Sequence, residues 1–171
     1  FYQFPDNNSE LYYEVAEMFK ELGLVEDQQS ATIEALVFNH YVHQDAKKTA
    51  RAAKKKLESN NLGVLYQRLK SKIGGFQNSL LNLAVELEQS SEVKRIGRNL
   101  AVRELERGTF DNAINYVELS EDQELIHNVG KQALEYGKTV GEYNLAARAA
   151  TLLGDEKQST IYKQMHELIG S

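Results

Sequence analysis

Proline occurs once, at Pro5, in a chain of 171 residues; average usage of roughly 5% would supply about eight. Proline lacks a backbone N–H and clashes with the preceding helical turn, so a chain free of it from Asp6 onward can be helical almost throughout. Alanine, leucine, glutamate, lysine and glutamine, all good helix formers, fill much of what remains. No window alternates β-branched and polar residues as a strand does. The expected fold is all-α, with no sheet.

Apolar spacing divides the chain into about ten helices. Asp6, Asn7, Asn8 and Ser9 offer N-caps for a first helix with the stripe Leu11, Val15, Met18 and Leu22, and Gly23 stops it. Ile33, Leu36, Val37, His40, Tyr41 and Gln44 trace a second. Asp45 caps a third, with Ala46, Ala50, Ala53 and Leu57 on a narrow apolar edge and Ser59-Asn60-Asn61 at its end. Leu62, Leu65, Leu69 and Ile73 form a fourth that stops at Gly74-Gly75, and Phe76, Leu80, Leu83 and Leu87 a fifth. A sixth starts near Ser90-Ser91-Glu92 and carries Val93, Ile96 and Leu100 to Leu105. The rest centre on Ala113, Ile114 and Val117; on Leu125, Val129 and Ala133; on Ala146, Ala147 and Ala150; and on Ile161, Met165, Leu168 and Ile169. Short connections make antiparallel hairpins of neighbours.

Between Leu105 and Gly154 a motif is stated twice. Leu105-Glu106-Arg107-Gly108 precedes Phe110 and Ala113, and Leu134-Glu135-Tyr136-Gly137 precedes Tyr143 and Ala146. The copies lie 29 residues apart at Leu105/Leu134 and 33 apart at Phe110/Tyr143, Ala113/Ala146 and Leu119/Leu152. Self-similarity at such a period marks helical repeats, whose paired helices bury their faces only by stacking. Phe19, Leu22 and Gly23 followed by Ala35, and Leu153-Gly154 preceded by Ala149-Ala150, resemble the tetratricopeptide class and the looser helical solenoids of coat-complex proteins. The chain departs from that pattern at Asn39, where the class has a bulky residue, and in lacking the helix-ending proline. The resemblance implies a right-handed superhelix of stacked hairpins that binds a protein or peptide; an irregular helical bundle is the alternative. Gly130, inside a helical stretch, implies a close helix crossing or a break.

The length suits a single all-helical repeat domain over residues 1–171, and the start at Phe1 rather than methionine fits a fragment of a longer protein. With no cysteine, thiol catalysis, zinc–thiolate sites and iron–sulfur clusters are excluded, and a cytoplasmic location is the expectation. No apolar run reaches the length of a membrane span, and no secretory signal opens the chain.

Charge is segregated. Residues 1–30 carry net −6, residues 31–72 net +6, residues 73–107 balance, and residues 108–171 carry net −5. Lys47, Lys48, Arg51, Lys54 and Lys55 share one face at helical spacing, with Lys56 beside them and Arg68, Lys70 and Lys72 in the next helix. Such a face meets a phosphate backbone or an acidic protein. No aromatic residue is interleaved to stack on bases, which favours the protein. Tyr12, Tyr13, Asn39 and His43 on the first hairpin are the candidate peptide contacts. His40 and His43 are three apart, and Glu124 and His127 form one Glu-x-x-His, half of the motif of ferritin-like di-metal bundles; no second such pair exists. No nucleophile elbow or phosphate loop occurs, and Glu14 and Glu17 read as a solvated acidic face. These features define the expectation of a non-enzymatic scaffold for protein–protein interaction, without catalytic residues, metal or cofactor. A metal-binding bundle and a nucleic-acid-associated domain using helix 46–57 are the alternatives.

Overall fold

A computed structural model describes residues 8–73 and 77–170. The expected caps at Asp6 and Asn7, the Gly74-Gly75 stop and the Phe76 contact lie outside them, while Asn8 and Ser9, also expected as caps, belong to the first helix. The fold is all-helical, with no strand among the described residues: α1 (Asn8–Glu21), α2 (Val25–His43), α3 (Ala46–Lys56), α4 (Ser59–Ile73), α5 (Gln77–Glu86), α6 (Ser90–Glu106), α7 (Phe110–Ser120), α8 (Gln123–Val140), α9 (Tyr143–Leu152) and α10 (Glu156–Gly170). The chain forms two compact units that divide between Ser90 and Ser91.

In the first unit α2 is the hub, packing against α1, α3 and α4, while α5 packs against α3 and α4. Ile33, Leu36, Val37, Ala50, Ala53, Leu65, Leu69 and Leu83 are all buried. The alanine edge of α3 does what its size allows, since Ala53 is fully buried and only small side chains let helices approach so closely. Asp45 caps α3 by accepting the Lys48 N–H at 2.9 Å, as its position before the helix requires. The third helix ends at Lys56, and Ser59, Asn60 and Asn61 belong to α4 rather than closing α3. The fold of that turn depends on Gln29. Its buried amide oxygen accepts from the Glu58 N–H at 3.1 Å and from Asn61 Nδ2 at 3.1 Å, and its amide nitrogen donates to the Lys56 carbonyl.

The expected stripe of α1 does not face the core: Leu11, Met18 and Leu22 are 56%, 62% and 70% exposed. The helix carries two apolar stripes, and its packing on α2 buries Ala16 from the other one. One neighbour covers only about a third of a helix, so one stripe is left outside. The last helix repeats this. It packs on α9 through the fully buried Ser159, and Ile161, Leu168 and Ile169 are exposed.

The second unit has a core of Ala101, Ala113, Ile114, Val117, Val129, Ala133, Leu145 and Ala149. Its helices are punctuated at a fixed interval that extends back into α5. Helix starts at Phe110 and Tyr143 stand 33 residues apart, as do those at Ser90, Gln123 and Glu156. Left-handed residues Glu88, Glu121 and Gly154 share the interval. Two of them, Glu88 and Gly154, close six-to-one and five-to-two hydrogen bonds, such as Asp155 N–H to the Ala150 carbonyl at 2.9 Å and Gly154 N–H to Thr151 at 3.0 Å. Asp122 and Asp155 cap the helices that follow. This corrects the register read from Leu105 and Leu134. Gly137 lies inside α8, and Gly141, left-handed like Gly108, ends that helix. Gly130 marks a crossing and not a break, since α8 is continuous and a Cβ there would lie 2.8 Å from the Leu153 side chain.

Candidate protein interface

The basic residues lie where an 11-residue helix presents one face to solvent. Thr49, Ala50 and Ala53 turn inward, which sends Lys47, Lys48, Arg51, Lys54 and Lys55 outward, all of them exposed. Lys54 is offset by Glu88 across to the end of α5. Lys47, Lys48, Arg51 and Lys55 make no ion pair among the described residues. Like charges three and four apart on a helix repel by about 0.2–0.5 kcal/mol per pair, and Lys47/Arg51 and Arg51/Lys55 are such pairs. The first turn has no acid, so Lys47 and Lys48 also oppose the positive end of the helix dipole. Asp45 relieves this only through its cap. The face is costly to the helix that bears it, and an anionic partner would remove that cost.

Lys56 turns away from this face: its ammonium sits 3.7 Å from the centre of the Tyr13 ring, a cation–π contact. Tyr13 is half-buried, and burial raises its hydroxyl above the ordinary range, so the group stays protonated. Tyr12 is 40% exposed and lines a groove of about 320 Å³ between α1, α2 and α4, with Val15, Phe19, Ile33, Val64 and Arg68. Arg68 is held at the groove by Glu34 at 3.8 Å. Asn39 is half-buried and His43 exposed on the last two turns of α2. The sequence-predicted residues thus fall into three places, the groove for Tyr12, the outer face of α3 for the cations, with Tyr13 tied to the end of α3, and the last two turns of α2 for Asn39 and His43. As a site the groove was invisible in the sequence, where Ile33 reads as part of an apolar stripe, Phe19 as part of the repeat resemblance and Val64 carries no signal of its own.

His40 is buried and works structurally. Thr49 Oγ1 donates to the Asp45 carbonyl at 2.8 Å, so His40 Nδ1, 2.9 Å away, must carry the proton and donate to it. Burial, outweighing Asp45, lowers the His40 pKa. His43 is exposed three residues on, and Glu124 and His127 are exposed on α8. Among the described residues no three histidine, aspartate or glutamate side chains gather where they could hold a metal. Glu104 is the most enclosed carboxylate among the described residues. It accepts from the Thr109 hydroxyl at 2.7 Å and pairs with Arg103 and Arg107, and the Thr109 bond chiefly holds its pKa below the usual value. These are bonds that close the α6–α7 turn. No helix among the described residues is long and apolar enough to cross a membrane.

No protein-family model matches the chain, and neither the curated proteins nor the solved structures give a significant match. Its function is therefore argued from its own residues.

Proposed function

We propose that the chain is a non-enzymatic helical-repeat scaffold of the tetratricopeptide-like kind, which binds a protein partner with an acidic surface through the outer face of α3. The observation that carries this reading is the set of four exposed cations, Lys47, Lys48, Arg51 and Lys55, that make no ion pair among the described residues and share one short helix. The 33-residue interval of helix starts and left-handed caps supports the repeat architecture, since a superhelix of stacked hairpins is built from units of one length. Packing of α9 against both α8 and α7 supports it too, because a stacked unit touches both helices of the one before. Tyr12 and the α1–α2–α4 groove, with Asn39 and His43 on the same hairpin, supply apolar and hydrogen-bonding contacts beside the charge.

A labelled polyglutamate peptide tests the reading. Binding to the whole chain should weaken severalfold or more between about 50 and about 500 mM salt, where screening shortens to a few ångströms. It should be lost in the quadruple variant Lys47→Glu, Lys48→Glu, Arg51→Glu, Lys55→Glu that keeps its helical circular dichroism. Binding that survives the reversal would remove α3 from the interface, and preference for a single-stranded oligonucleotide of equal charge would favour a nucleic-acid role instead.

A further inference from the structure

The complement of the α3 face is present on the chain itself. On α1, Glu10, Glu14, Glu17 and Glu21 recur at intervals of four, three and four residues, all exposed, and so form one ridge about 16 Å long at 1.5 Å per residue. Lys47, Arg51 and Lys54 recur on α3 at four and three, with Lys55 and Lys48 alongside, a ridge of about 12 Å. The two ridges share a spacing and carry opposite charge.

Among the described residues neither ridge is more than partly neutralised. Glu17 pairs with Lys20 at 3.1 Å, while Glu10, Glu14 and Glu21 make no ion pair among the described residues, as is true of four of the five cations. The contact that does join α1 to α3, Lys56 over Tyr13, leaves both ridges facing solvent. Each ridge also borders exposed apolar surface. Leu11, Met18 and Leu22 follow one another beside the acidic ridge of α1, and Tyr41 and Val42, 62% and 42% exposed, lie on the last turn of α2 just before α3 begins. Charge with adjoining apolar area is the composition of a stable interface, whereas screened charge alone gives mainly orientation.

Resting on the reading of α3 as a contact surface, we propose that its acidic partner is a second copy of this chain, the α1 ridge of one protomer docking on the α3 ridge of the next. Two copies that dock α1 on α3 reciprocally form a closed two-fold dimer, and head-to-tail docking forms a ring or an open filament. The partner-binding surface and its target are then encoded in the same first unit.

Sedimentation equilibrium of the full chain tests this. At about 50 mM salt the wild type should weigh more than a monomer, and at about 500 mM it should return to one. The α3 variant Lys47→Glu, Lys48→Glu, Arg51→Glu, Lys55→Glu and the α1 variant Glu10→Lys, Glu14→Lys, Glu21→Lys should each lose association alone, because each makes both ridges alike in sign. Mixed in equal amounts, they should regain it. If either reversal fails to fold, as read by circular dichroism, the glutamine versions of the same positions should show the loss without the rescue. A wild type that stays monomeric at low salt, or variants that associate as it does, would overturn the proposal. A monomer that still binds polyglutamate through α3 would overturn self-association while leaving the scaffold reading standing; a monomer that binds neither would overturn both.

Discussion

Gly130 and Gly137 lie in one helix and look alike in sequence, yet the atoms around them differ in kind. A Cβ at Gly137 would meet the Ala146 N at 2.9 Å and the Glu142 carbonyl oxygen at 3.0 Å, both backbone, whereas at Gly130 it would meet the movable end of Leu153. Backbone cannot give without shifting α9. Gly137→Ala should therefore cost about 1–3 kcal/mol through overpacking, even after the gain of about 1 kcal/mol in helix propensity, while Gly130→Ala should stay within about 1 kcal/mol of the parent. Urea denaturation of the two variants decides it, and equal costs would mean that α9 does not approach α8 as described. A second residue-scale device is Gln29, whose amide closes the α3–α4 turn. Gln29→Ala leaves the Glu58 N–H without its acceptor and should destabilise by about 1–3 kcal/mol, measured in the same way.

At the scale of helices, the ends are more regular than the faces. Glu88, Glu121 and Gly154 take the same left-handed conformation 33 residues apart, but only the last is glycine. A non-glycine residue pays roughly 1–2 kcal/mol for that conformation. Glu121→Gly should raise stability by about 0.5–1 kcal/mol, because the ion pair it gives up, with Lys94, is exposed and worth little. A lower midpoint in thermal unfolding would show that the pair matters more than the backbone. Faces, by contrast, depend on how many neighbours a helix has. With α2 as its packing partner, α1 leaves Leu11, Met18 and Leu22 outside, and this exposed stripe is what gives the acidic ridge an apolar border.

For the molecule as a whole, the two units carry different acid sensitivities. In the first unit buried His40 has a lowered pKa, so it resists protonation when folded and accepts it when unfolded. Its contribution is complete above the ordinary value of 6.5 and is lost as pH falls from there to the folded value. In the second unit Glu104 and Asp122 have lowered pKa values, Glu104 chiefly through the Thr109 hydroxyl and Asp122 chiefly through the Leu125 N–H. They contribute above their ordinary values of 4.5 and 3.8, and that stability is lost as pH falls through their folded values. Amide exchange followed from neutral pH downward should show protection of α2 and α3 falling first and that of α6 to α8 at lower pH. His40→Asn, which keeps a donor for Thr49, should abolish the first step. Simultaneous loss in both units would contradict the assignment.

The sequence by itself determined the helical class and most helix positions, because proline, glycine and apolar spacing act on the backbone locally. It also determined the solvent-facing side of α3, since inward alanines leave the lysines one place to go. It misread the register of the repeat, pairing Gly137 with Gly108, because a glycine that ends a helix and one that admits a neighbour are the same letter; Gly141 ends the helix. It sent the Leu11 and Leu168 stripes inward because a hydrophobic pattern does not state how many partners a helix will have. It read Glu14 and Glu17 as a solvated face, and both are exposed; that most charges of the α1 and α3 ridges make no ion pair among the described residues was not legible in it. Close backbone approach, the number of packing neighbours and the pairing of distant charges arise between segments far apart in the chain. Tertiary structure alone decided them.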